Sequence, residues 1–235
     1  MIQNNKKEIK NSVRLNLYLA QKNIASRREA DELIKSGVVF VNGKRAVLGM
    51  KINPTDTVEV KKSKNTKKYV YYAYYKPKGV VTTNKSKGEK EILDVTKFPE
   101  TVYPVGRLDK ESHGLIIMTN DGRIVKKILD PNYQHEKEYE VLLDKAITPS
   151  FLTHMKHGVN IGDYTTKPCK ITPRGQNGFS IVLTEGKNRQ IRRMCEALGY
   201  KVVDLKRTRV MTIPLGSLKP KEYRPITLRT SFLNS

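Results

Sequence analysis

The stretch Lys61–Lys68, KKSKNTKK, carries no apolar side chain and interrupts two regions of regular hydrophobic patterning. A segment this polar has nothing to bury, so the chain is expected to fold as two bodies with a linker at 62–68. A tight hairpin at the same place is the alternative. A length of 235 residues suits either one or two domains. Both sides of the break are basic: 13 Lys and Arg face 6 Asp and Glu up to Lys62, and 32 face 17 beyond it. The total of +22 far exceeds the ~2–8 charges that keep a small domain soluble. Such a surplus attracts polyanions with salt-sensitive affinity, which makes nucleic acid the expected partner. No apolar run approaches the ~20 residues that span a bilayer. The N-terminus, MIQNNKKEIKN, has no secretory apolar stretch, so a cytoplasmic protein without a membrane partner is expected. Residues 1–12 lack periodicity and read as a basic disordered arm. Cys169 and Cys195 form no CxxC, which argues against a disulfide scaffold or a zinc finger.

Residues 13–61 have the pattern of a small module. Leu15, Tyr18 and Leu19 share a helical face within Val13–Lys22. Ser26-Arg27-Arg28-Glu29 has the spacing of a capping box, followed by the stripe Ala30, Leu33, Ile34 and a left-handed stop at Gly37. Val38–Val41, the turn Asn42-Gly43 and Thr57–Val60 supply a small sheet. Arg27 and Arg28 stand in the first turn of the second helix, where a cation opposes the macrodipole at ~0.3–1 kcal/mol each. Binding to phosphate would account for them; two side chains pointing into water is the plainer reading.

The second region, 69–235, is richer in strands. Tyr69–Tyr75 (YVYYAYY) reads as a strand in preference to a base-stacking surface. Further strands are expected at Val80–Thr83, Leu115–Thr119, Glu138–Leu143, Phe179–Thr184 and around Val202–Ile213. Helices are expected at Gly122–Leu129, Pro149–His157 and Asn188–Leu198, the middle one capped by Thr148 with Pro149 in its first turn. The fold class is therefore α+β: two helices and a small sheet, then a mixed or antiparallel sheet with packed helices.

Chemistry has few places to sit. His154 and His157 are three apart on a helix without a third ligand nearby, and His113 and His135 stand alone, so no metal site is expected. There is neither a P-loop nor a GxGxxG after a strand, so no nucleotide cofactor is implied. Gly106–Gly122, GRLDKESHGLIIMTNDG, differs. Its polar loop holds Arg107 and Asp109 and runs into the apolar strand Leu115–Met118, placing a carboxylate at the mouth of a rigid element. The same pattern fits an aspartate that merely caps a turn. Downstream, Gly186–Arg193 (GKNRQIRR) offers guanidinium groups that suit a phosphate or a carboxylate, or simply a basic helix face.

Taken in order, these segments resemble a family. GRLDKESHGLIIMTNDG is similar to the signature of the pseudouridine synthases of the ribosomal small-subunit synthase A superfamily. Lys76-Pro77-Lys78-Gly79 upstream, and HEKEY (135–139) and EGKNRQIRRM (185–194) downstream, agree with it in order. HEKEY, NRQIRRMCEALGY and LKRTRVM resemble most the large-subunit synthase F type. Residues 13 onward, VRLNLYLAQKNIASRREADELIKSGVVFVNGKRA, resemble the RNA-binding domain shared with ribosomal small-subunit protein four. The resemblance implies that Asp109 is the catalytic aspartate, Tyr139 lies against the target base, and Arg192 pairs with the aspartate. It also implies that Arg107 assists base flipping and that Lys76, Arg189, Arg193, Arg27 and Arg28 contact RNA. The implied activity is isomerisation of a specific uridine to pseudouridine, in 23S rRNA of the large subunit, by a monomer that needs no cofactor. A non-catalytic RNA-binding or assembly factor, or the same reaction on small-subunit rRNA or tRNA, is the alternative.

Overall fold

The structure is a computed structural model and describes residues 12–61 and 68–228. The expected arm at 1–12 and linker at 62–68 lie outside the described residues, apart from Ser12 and Lys68.

In the N-terminal module β1 (Val13–Arg14) leads directly into α1 (Leu15–Gln21), and α2 covers Arg27–Lys35. The sequence predicts a helix from Val13. Instead Val13 and Arg14 pair with Ile52 and Lys51 of β4 (Lys51–Ile52), a use of the backbone that suits a β-branched residue. Ser26 caps α2 as the spacing predicts: its Oγ accepts from the Glu29 amide at 3.3 Å, and its own amide donates to Glu29 Oε2 at 3.0 Å. β2 (Val39–Val41) meets β3 (Lys44–Arg45) through Asn42 and Gly43, whose φ angles of 50° and 76° are those of a tight hairpin turn. β5 (Val58–Val60) pairs with the other edge of β2. Leu15, Leu19, Ala30, Ile34, Val39 and Ile52 close the core of the module.

The second domain is built on one mixed sheet. Its strands are β6 (Tyr71–Lys76), β7 (Tyr103–Val105), β8 (His113–Thr119), β9 (Lys137–Leu143), β10 (Lys170–Arg174), β11 (Gly178–Leu183), β12 (Val202–Val210), β13 (Ile213–Pro214) and β14 (Tyr223–Pro225). The spatial order is β10-β11-β9-β12-β8-β6-β14, with β13 beside β12 and β7 beside β8. Only β12 and β8 run parallel among the pairs described. The helices are α3 (Ile92–Val95), α4 (Gly122–Leu129), α5 (Pro149–His157) and α6 (Gln190–Ala197), with a 3₁₀ turn at Pro131–Tyr133. Thr148 caps α5, accepting from the Phe151 amide at 3.2 Å.

Among the described residues, apolar clusters pack on both halves of this sheet. Val141, Phe151, Met155, Phe179, Ile181, Ile191 and Met194 pack between β9, β11, α5 and α6. Tyr72, Tyr74, Val80, Ile92, Val102, Ile116 and Met118 fill the β6–β8 half. Tyr72 and Tyr74 of YVYYAYY therefore serve the core: β6 lies between β8 and β14, and Tyr74 is fully buried. The strand expected at Val80–Thr83 does not form. Only Val81 makes an isolated bridge, to Glu91, and Thr82 turns its hydroxyl to the backbone of Leu108. That side chain-to-backbone bond competes with a strand ladder.

Candidate active site

Asp109 lies in the loop that joins β7 to β8, and three anchors fix that loop. Thr82 Oγ1 donates to the Leu108 carbonyl at 2.7 Å and accepts from the Leu108 amide at 3.0 Å. Lys76, at the end of β6 and 0 % exposed, donates to the carbonyls of Ser112 at 2.7 Å, Pro77 at 2.9 Å and Lys110 at 3.4 Å. Arg192, on α6, reaches the Val202 carbonyl at 3.2 Å and the Glu111 carbonyl and Ser112 Oγ at 3.4 Å each.

Beyond the loop, β8 starts where it must run close to β12. Gly114 has φ +105°, and a Cβ there would lie 2.3 Å from the Arg207 carbonyl oxygen. Only glycine permits this approach. His113 ties the same corner together. Its Nδ1 lies 2.7 Å from the Tyr75 hydroxyl and its Nε2 3.1 Å from both oxygens of Asp204, which also pairs with Lys78.

The carboxylate of Asp109 opens onto a cleft of about 690 Å³, a size that suits a small polar ligand. Its walls include Arg107, Lys137, Tyr139, Glu185, Arg189 and Arg207. Tyr139 is half-buried on β9, in register with Ile181 on one side and Arg207 on the other. Arg207 is buried, and its Nε donates to the Leu115 carbonyl at 2.7 Å. The ion pair that reaches Asp109 comes from Arg189, whose Nη1 lies 3.9 Å from Oδ2; the two side chains are 51% and 33% exposed. Arg189 stands in the left-handed region (φ 48°) just before α6. Buried Glu185 stabilises that bend by accepting from Tyr164 Oη at 2.8 Å, the Lys167 amide at 3.1 Å and Gln190 Nε2 at 2.7 Å. Gln190 Oε1 in turn accepts from the Lys187 amide at 3.0 Å.

Burial dominates the electrostatics of the surrounding cations. It pushes Lys76 down to about 8, against the attraction of Asp109 and Glu111. Burial, then the charge of Arg207, lowers Lys137. The Arg192 guanidinium is lowered by burial and by neighbouring Arg189, while Asp109 favours its charge.

Two expectations, for Lys76 and Arg192, are corrected. Lys76 is no RNA contact, because its ammonium is enclosed by backbone carbonyls. Arg193, partly exposed, turns to the Ile161 carbonyl and to surface Asp163. Arg192 does not ion-pair with Asp109; from α6 it faces the 111–112 backbone, and Arg189, one residue ahead of the helix, points toward the carboxylate. Arg107, exposed on the wall of the cleft, and Arg27 and Arg28, exposed in the first turn of α2, stand where a polyanion can reach them. The helix expected at Asn188–Leu198 starts at Gln190. Sequence reasoning passed over Lys137 and Arg207. The available signal was the period-two alternation of Leu205 and Arg207 on β12, which puts both on the cleft side.

Comparison with known proteins agrees with this architecture. The family model described as RNA pseudouridylate synthase matches residues 70–197, and the S4 domain model matches 13–58. The dual-specificity RNA pseudouridine synthase RluF of Escherichia coli K12 is 44% identical over 220 residues, which are 92% of this chain and 76% of the relative. The ribosomal large subunit pseudouridine synthase B of Bacillus subtilis is 37% identical over 225 residues, 91% of this chain and 92% of the relative. A crystal structure of a pseudouridylate synthase superposes with a TM-score of 0.68 at 28% identity, covering 95% of this chain and 99% of that one.

Proposed function

The chain belongs to the RNA pseudouridylate synthase family and carries an S4 domain, and from that premise we propose that it isomerises a specific uridine in 23S rRNA of the large ribosomal subunit. The observation that carries the reading is a carboxylate, Asp109, held by a braced loop at the edge of a cleft walled by cations and by Tyr139. Isomerisation breaks the C1′–N1 bond, turns the base and joins C1′ to C5, with the C5 proton released and a proton taken up at N1. Atoms balance without redox or an external donor. The carboxylate of Asp109 attacks or stabilises the reacting centre. Arg189 is the cation that faces it, and Arg192 and Lys76 act through the loop backbone as positioning residues. Tyr139 receives the extruded base, whose unstacking costs ~a few kcal/mol that stacking partly offsets. Residues 13–61 form the RNA-binding module, with Arg27 and Arg28 on phosphates, 62–68 the linker and 69–235 the catalytic domain. The enzyme works as a cytoplasmic monomer.

The descriptions of two relatives support this substrate. One is described as a large-subunit synthase and another as dual-specificity, so tRNA is assayed beside 23S rRNA. Carbodiimide mapping of pseudouridines in cells with and without the protein identifies the nucleotide. For the chemistry, Asp109→Asn preserves shape and removes charge. RNA affinity is expected to hold or rise slightly, and tritium release from C5-labelled uridine to fall to background. Release within ~10-fold of the parent, a barrier change of only ~1.4 kcal/mol, would overturn the role of Asp109.

A further inference from the structure

Next to the cleft, outside the machinery described above, stands an aromatic pair. The rings of Tyr133 and His135 are nearly parallel, 7° apart in plane with centroids at 5.7 Å, an offset stack. Tyr133 is the outer member at 44% exposure, and His135 is the half-buried inner one. Tyrosine is usually covered on more of its surface than this. Here the ring stacks on the imidazole while the residue as a whole stays exposed.

The segment is built to hold that ring still. Asp130 accepts from the Tyr133 amide through its carbonyl at 3.2 Å and from the Asn132 amide through Oδ1 at 3.0 Å, closing the 3₁₀ turn. Gln134, between the two rings, sits in the left-handed region at φ 48°. A non-glycine residue held there stores strain that surrounding contacts must sustain, and such positions gather at ligand sites. Continuity with the cleft is direct: Leu129 and Asp130 before the turn, and Lys137 after it, are wall residues. Leu129 also packs on the loop of Asp109, since a Cβ on Gly106 would lie 2.9 Å from its Cδ2.

We infer that Tyr133, stacked on His135 beside the cleft, is a platform for an unpaired nucleobase that neighbours the uridine being isomerised. The inference rests on the functional reading above and extends it to how the substrate is held. A uridine extruded into the cleft leaves its neighbours without a stacking partner. A flat, pre-ordered ring at the rim replaces that partner, and it tolerates any base because every base has a π face. In a chain of charge +22 the phosphates supply long-range attraction, and the ring adds a contact that depends on an unpaired base.

The test uses the full-length protein and transcripts of 23S rRNA and tRNA carrying C5-tritiated uridine. Tyr133→Phe, Tyr133→Leu and Tyr133→Ala are compared with the parent. Stacking on an aromatic side chain is worth enough per base to give Ala a KM about tenfold higher. Its kcat is expected to stay within about twofold, since no bond-making group has moved. Leu is expected to lose most of the same affinity and Phe to keep it. Three results would overturn the inference: an Ala variant whose KM stays near the parent's, a Phe variant as impaired as Ala, or a fall in kcat at constant KM. A parent that releases no tritium from either RNA overturns the functional reading and this inference with it; an active parent with an unaffected Ala variant overturns the inference alone.

Discussion

Replacing Lys76 with Met tests whether a buried ammonium braces the catalytic loop. The side chain is 0 % exposed and its pKa falls from the ordinary 10.5 to about 8 because burial penalises the charge. In the unfolded chain the amine keeps its proton through this window, so between pH 8 and 10.5 the unfolded state binds more protons and the native state gains stability as pH rises. The contribution is complete above the unfolded value and is lost as pH falls through the folded one. Each unit is worth about 1.4 kcal/mol, so the parent should gain about 2 kcal/mol on the Met variant between pH 8 and 9.5. At pH 7 the two terms oppose each other. Met removes a charge whose burial costs roughly 3 kcal/mol, but it takes a donor from the Pro77 and Ser112 carbonyls, at about 1–3 kcal/mol for each one left unsatisfied, whereas the Lys110 carbonyl keeps the Gly79 amide at 2.9 Å. Urea unfolding of both proteins at three pH values reads the difference, because the remaining groups cancel. A stability gap that does not change with pH, or that narrows in favour of Met as pH rises, would refute the reasoning. Turnover by the Met variant should fall at every pH, since the loop that carries Asp109 has lost its donor.

Other perturbations separate the remaining roles. Changing Arg27 and Arg28 together to Ala should flatten the salt dependence of RNA binding by up to ~2 in slope while helix content holds or rises; a filter-binding titration with an unchanged slope rejects phosphate contact. Gly114→Ala forces a Cβ to 2.3 Å from the Arg207 carbonyl at a φ of +105°, so a stability loss of about 3 kcal/mol or more is expected, measured by thermal unfolding. Arg192→Met should lower kcat well beyond its effect on RNA affinity, because its bonds reach the loop backbone at Glu111 and Ser112. Equal losses in single-turnover rate and in binding would make it an ordinary RNA contact.

Charge was the most legible property of the sequence and the least well assigned. Surplus cations point to a polyanionic partner, but a count of +22 does not say which of them face outward. Lysine is almost never fully buried unless its charge has partners. For Lys76 the partners are backbone carbonyls, two of them 34 and 36 residues away in sequence. No side-chain pattern announces such a site, so Lys76 read as an RNA contact. The partners of Arg193 are hidden from the sequence for the same reason, its acceptors being 30 and 32 residues distant.

The exchange between Arg192 and Arg189 has another cause, in helix phase. A guanidinium reaches whatever its helix position faces, and moving the start of α6 from Asn188 to Gln190 takes Arg189 out of the helix into a left-handed bend. Local signals were reliable where the interacting atoms lie close along the chain: the Ser26–Glu29 box, the Asn42-Gly43 turn and the Thr148 cap all form. The carboxylate was legible for a similar reason, since Asp109 and the strand that positions it occupy one short segment. What surrounds it was not, because its anchors come from β6, α6 and the Thr82 segment, which meet only once the sheet has formed. Salt dependence and turnover should therefore separate in this protein. Arg27, Arg28 and Arg107 are expected to govern the first, and Lys76 and Arg192, committed to the loop backbone, to act through the second.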